Sequence, residues 1–131
     1  MAPHILIVDT DRSAAQVTYA LVARAVPEAT VVVAPSFEQA RLSMQQHPDA
    51  LIIDPSPQSL EGARLIEQFK ATRAKAPVIV LASMPTPALR RMMAGLGVDA
   101  YLEKPALVSL LQHQLHALRR NAAPEVTTLR E

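Results

Sequence analysis

Three charged residues in this chain each follow a short, mostly apolar run. Ile5-Leu6-Ile7-Val8 leads into Asp9, Leu51-Ile52-Ile53 into Asp54, and Tyr101-Leu102-Glu103 into Lys104-Pro105. Such a run reads as a strand, so its closing residue falls at the carboxyl edge of a sheet, where open α/β folds build their sites. Two carboxylates and an ammonium gathered on one edge suit a divalent cation and a phosphoryl group. Each residue also has an ordinary role open to it. Asp54 could simply turn the chain at a strand end. Asp9 could cap the first helix, as could Asp11 or Ser13. A strand-end lysine is usually just solvated.

The elements that must position these residues are legible as alternating patterns. Strand-like runs occupy 5–8, 31–33, 51–53 and 78–81, with a weaker one at 98–102. They are short, continuous and rich in β-branched residues, as strands buried on both faces of a parallel sheet are. Helical stripes fill the gaps: Ala14, Val17 and Leu21; Phe37, Ala40 and Met44; Leu65, Ile66 and Phe69; Leu89, Met92, Met93 and Leu96; and Val108, Leu111, Leu115 and Leu118. Ser36 with Gln39 makes a capping box, Thr86-Pro87 an N-cap followed by a first-turn proline, and Gly95 and Gly97 a helix stop. Repeated β-α alternation predicts right-handed crossovers with helices on both faces of the sheet.

The bulk numbers exclude several classes. The chain has 131 residues, a formal net charge of +1, 19% charged residues and no cysteine. One domain with one core is expected, without disulfides or thiolate metal sites. Scattered basic residues argue against direct nucleic-acid binding. No apolar run approaches the roughly 18 residues of a membrane span, and no export signal is evident, so a cytoplasmic protein is expected. Residues 121–131 lack periodicity and read as a flexible tail or the start of a linker after a domain over 1–120.

In the segments HILIVDTDRS, PDALIIDPSPQSLEG, PVIVLAS and GLGVDAYLEKP the sequence resembles the receiver domain of two-component response regulators, across roughly residues 3–120. The resemblance implies a doubly wound (βα)5 fold, flavodoxin-like, with five parallel strands in the order 2-1-3-4-5. It makes Asp54 the phosphoacceptor, with the carboxylate as nucleophile. Asp9, Asp54 and the backbone carbonyl of Ser56 become the ligands of Mg2+, and Lys104 the partner of the phosphoryl oxygens. It implies a histidine kinase or phosphotransfer protein as phosphoryl donor, and a signalling domain that at most assists its own phosphorylation and dephosphorylation. It also allows a homodimer through the fourth helix, fifth strand and fifth helix, where Arg90, Arg91, Asp99 and Arg119 lie.

The departures from the family pattern matter as much. Thr10 stands where the family has its second acid, so weak Mg2+ binding is expected; Asp11 lies one residue further into the turn. Ala82 stands at the switch position that carries a Ser or Thr hydroxyl, and Ser83 would have to slip by one residue to replace it. Pro55 restricts Asp54 to extended geometry and removes a backbone N–H near the incoming phosphoryl group. A hydrogen bond to a charged group contributes about 1.5–3 kcal/mol, and linked sites typically couple by about 1–3 kcal/mol. Loss of the hydroxyl at Ala82 could therefore remove most of the switching energy while leaving the chemistry intact. Because Ala82 is small, Tyr101, the switch aromatic before Lys-Pro, is expected to lie inward without phosphate. A pseudo-receiver that docks or dimerises without phosphorylation is the alternative reading. A small flavodoxin-like ligand binder fits less well, since the loop after the first strand has no glycine. His113 and His116, one helical turn apart, read as a solvated face, and of Met92 and Met93 one is expected in the core and the other at its rim.

Overall fold

A computed structural model describes residues 2–56, 59–103 and 115. Five strands, β1 (His4–Val8), β2 (Thr30–Ala34), β3 (Ala50–Ile53), β4 (Val78–Ala82) and β5 (Ala100–Glu103), form one sheet in the order β2-β1-β3-β4-β5. All four pairings are parallel. Between the strands run α1 (Arg12–Ala25), α2 (Phe37–Ser43), α3 (Ser59–Thr72) and α4 (Pro87–Gly95), with a short 3-10 turn at Met44–Gln46 after α2. Of the expected fifth helix, Leu115 alone is described; it is helical and fully buried. The expected tail at 121–131 lies outside the described residues.

The strand pattern explains the layers. Successive side chains point to opposite faces, so Leu6, Val8, Leu51, Ile53, Val78 and Val80 face one way and pack with Phe37, Ile66, Phe69 and Met93. Ile5, Ile7, Ile52, Ile79, Leu81 and Leu102 face the other way, against Val22 of α1 and Leu115. The three inner strands are therefore apolar on both faces, as parallel strands between two helical layers must be.

Two aspartates set where strands begin. Asp49 accepts the His4 N–H at 2.8 Å on its carboxylate while its own N–H donates to the His4 carbonyl at 2.6 Å. Asp99 does the same to Val78, at 2.7 and 2.9 Å. Each is followed by an alanine that opens a strand, so Pro48-Asp49-Ala50 and Val98-Asp99-Ala100 act as equivalent registers. This moves the fifth strand from the expected 98–102 to Ala100–Glu103.

The α1 stripe also differs from the expectation. Ala15, Thr18 and Val22 face the core, while Val17 is 55% exposed. The Thr18 hydroxyl donates to the Ala14 carbonyl at 3.2 Å. With its polarity satisfied inside the helix, threonine can take a core position that residue type alone would assign to valine. On α4 the division follows the expectation: Met93 is fully buried and Met92 packs at the core's edge. Thr86 and Ser36 cap their helices through their side chains, and Gly97 carries the left-handed φ of 73° after α4.

Candidate functional site

Val8 pairs with Ile53 in the sheet, so Asp9 and Asp54 leave adjacent strands side by side at the carboxyl edge. Neighbouring strands lie about 4.8 Å apart. The Asp54 N–H donates to the Val8 carbonyl at 2.9 Å, continuing the ladder one step past the strand, and the Asp9 N–H reaches Ala34 at 3.3 Å. Both residues are buried, at 4% and 3% exposure. Each carboxylate is held by the backbone two residues on: Asp11 N–H to Asp9 Oδ1 at 2.9 Å, and Ser56 N–H to Asp54 Oδ1 at 2.9 Å. These turns fix the two acids in equivalent poses at the edge of the core.

The capping question resolves in favour of Asp11, whose carboxylate accepts the Ala14 N–H at 3.1 Å and closes the start of α1. Asp9 is thereby spared that role. Asp11 is exposed and committed to the helix, and Thr10 is exposed. Neither takes the place of a second buried acid.

Pro55 and Ser56 continue inward from Asp54, both buried. Gly62 on α3 faces Pro55: a Cβ on the glycine would stand 2.6 Å from Pro55 Cβ and 3.0 Å from its Cα. Only glycine lets the helix approach the loop this closely. The Ser56 hydroxyl is buried and has no hydrogen-bond partner among the described residues. Ala82 ends β4 fully buried, opposite Glu103 of β5, and Ser83 is exposed. Lys104, Pro105, His113, His116 and Arg119 lie outside the described residues.

Tyr101 is half-buried and packs against the cluster that contains Ala82, Leu89 and Met93, with its hydroxyl shielded from solvent. Beside it the Arg90 guanidinium pairs with the Glu103 carboxylate. Burial pushes the Tyr101 phenol above the ordinary tyrosine value, and the Glu103 charge adds to the rise. Hydrogen bonding to Glu103 and its charge raise Arg90 in turn. Arg90 and Asp99, read from sequence as dimer-face residues, thus both have partners within the chain.

Among the described residues no three His, Cys, Asp or Glu side chains cluster as a metal site. Asp9, Asp54 and the Ser56 carbonyl, the ligands that the family resemblance implies, would make an oxygen-only donor set. That set fits Mg2+, which commonly uses one or two carboxylates and keeps several waters. A groove of about 690 Å3 opens beside Asp9, lined by Arg12, Gln16, Tyr19, Val33 and Pro35 among others. Sequence patterns gave no hint of this groove. Gly62 likewise escapes a pattern search because its reason, the nearness of Pro55, is tertiary.

A doubly wound α/β domain with paired acids at the carboxyl edge of its sheet is thus defined by fold and site together. The profile of the response regulator receiver domain matches residues 5–116, and the chain belongs to that family. Response regulator MprA of Mycobacterium avium (strain 104) is 32% identical over 78 residues, covering 60% of this chain and 34% of that protein. The Mycobacterium leprae protein of the same name is 28% identical over 88 residues, covering 67% of this chain and 39% of that one. The chain therefore spans little more than a third of the length of these relatives. Among solved structures, the signal receiver domain of a DNA-binding response regulator from Colwellia psychrerythraea 34H superposes with a TM-score of 0.78 at 22% identity, covering 89% of this chain and 98% of that one. The beryllofluoride-activated DrrB receiver domain gives 0.73 at 19% identity, covering 92% and 99%.

Proposed function

We propose that this receiver domain accepts a phosphoryl group on Asp54 from a histidine kinase or phosphotransfer protein and relays the signal by protein–protein contact. The observation that carries this reading is the pose of Asp54: buried at the sheet's carboxyl edge, beside Asp9, with one oxygen held by the Ser56 N–H. A carboxylate oxygen attacks phosphorus, the bond from phosphorus to the donor's imidazole nitrogen breaks, and the electron pair leaves with the imidazole. Bound Mg2+ supplies charge neutralisation for the phosphoryl oxygens. Asp9, Asp54 and the Ser56 carbonyl would hold it, and Lys104 would pair with the phosphoryl oxygens. The domain acts as a cytoplasmic signalling module, with no chemistry beyond its own phosphorylation and dephosphorylation.

Acetyl phosphate with and without Mg2+, read by intact-protein mass, tests the reading. A metal-dependent gain of one phosphoryl group that disappears in Asp54→Asn is expected. Equal labelling of the variant would refute it.

A further inference from the structure

Two positions near the carboxyl edge lack a donor that an incoming phosphoryl group could use, one in the loop after Asp54 and one at the end of β4. Pro55 has no N–H, and Ala82 at the end of β4 has no hydroxyl. Pro55 itself is seated directly on the glycine face of α3 at Gly62. Within this frame stands one buried hydroxyl without a partner. Ser56 is 7% exposed and its Oγ is shielded from water, yet it makes no hydrogen bond to any described residue. Leaving such a group unsatisfied costs about 1–3 kcal/mol, and native structures rarely do so without a reason. The same residue already places its backbone N–H 2.9 Å from Asp54 Oδ1, so Ser56 is tied to the carboxylate that would carry the chemistry.

We infer that the Ser56 hydroxyl is a phosphoryl-binding group, donating to an oxygen of the phosphoryl moiety on Asp54 in place of the donors absent at Pro55 and Ala82. The inference rests on the reading that Asp54 carries the phosphoryl group. The hydroxyl, without a partner among the described residues, gains one when the anion arrives. Binding and folding then respond to its removal in opposite ways. Loss of a hydroxyl that is unsatisfied in the free state does not destabilise the free protein, whereas loss of a donor to a charged oxygen weakens the bound state.

Beryllofluoride, which adds to a carboxylate as a phosphoryl mimic, is titrated at fixed Mg2+ into the parent chain, Ser56→Ala and Ser56→Thr. Ser56→Ala should bind about tenfold or more weakly, and Ser56→Thr should restore much of the loss. The unliganded melting temperature of Ser56→Ala should not fall. Equal beryllofluoride affinity of the parent and Ser56→Ala would overturn the role of the hydroxyl while leaving Asp54 as the acceptor. So would a fall in the unliganded melting temperature matching the loss of affinity. A parent chain that binds Mg2+ but no beryllofluoride would instead refute the reading of Asp54, and this inference with it.

Discussion

Pro55 and Gly62 are in direct contact across the loop that joins β3 to α3, with room for a hydrogen but not for a methyl group. The proline follows Asp54, so the packing of a helix controls the backbone that carries the candidate nucleophile. Gly62 is buried in the middle of the first turns of α3, where its low helix propensity would otherwise be a liability.

Gly62→Ala should therefore destabilise the domain. Alanine gains about 1 kcal/mol of helix propensity over glycine, but overpacking a rigid contact costs typically 1–3 kcal/mol. The neighbour here is a proline ring and its Cα, which have little freedom to yield. A net loss of up to about 2 kcal/mol in urea unfolding is expected. A gain in stability would show that α3 shifts without cost.

Thr10→Asp should tighten Mg2+ binding. The Thr10 side chain adds no anionic ligand, and Asp11 is occupied in capping α1. A carboxylate at position 10 adds a hard, charged oxygen donor to the two buried acids. Calorimetric titration of both proteins should show at least a severalfold gain in affinity. Identical isotherms would mean that position 10 does not face the metal.

Tyr101 should titrate above the ordinary tyrosine range of about 10. The chain holds two tyrosines, so the ultraviolet phenolate band of the Tyr19→Phe protein reports Tyr101 alone. Glu103→Gln should lower the midpoint only part of the way, because burial is the larger cause. The sign for stability follows. A phenol whose folded pKa is raised contributes its stabilisation in full below its unfolded pKa. That contribution is lost as pH rises through the folded value. A midpoint at or below that of a free tyrosine would contradict the buried placement.

Much of this architecture was legible in the sequence because parallel strands announce themselves as continuous apolar runs. The strand positions and the caps at Ser36 and Thr86 follow from local signals, while the 2-1-3-4-5 order, which sets Asp9 beside Asp54, came from the family resemblance. The exceptions share a cause. Thr18 faces the core because its hydroxyl bonds to Ala14, which composition does not reveal. Asp99 opens β5 instead of offering its charge to a partner, because Val78 on the neighbouring strand is within reach. The Gly62–Pro55 contact and the unpaired Ser56 hydroxyl exist only once the loop and helix are brought together. Tertiary proximity has no period.

The most direct test of the account maps the phosphoryl group to one residue. After Mg2+-dependent reaction with acetyl phosphate, borohydride reduces an aspartyl phosphate to homoserine, and peptide mass spectrometry locates it. The account predicts homoserine at position 54 in the peptide spanning β3 and the start of α3, with Asp9 and Asp11 unmodified. Homoserine at Asp9 or Asp11, or no reduction product anywhere under conditions that saturate Mg2+, would contradict it.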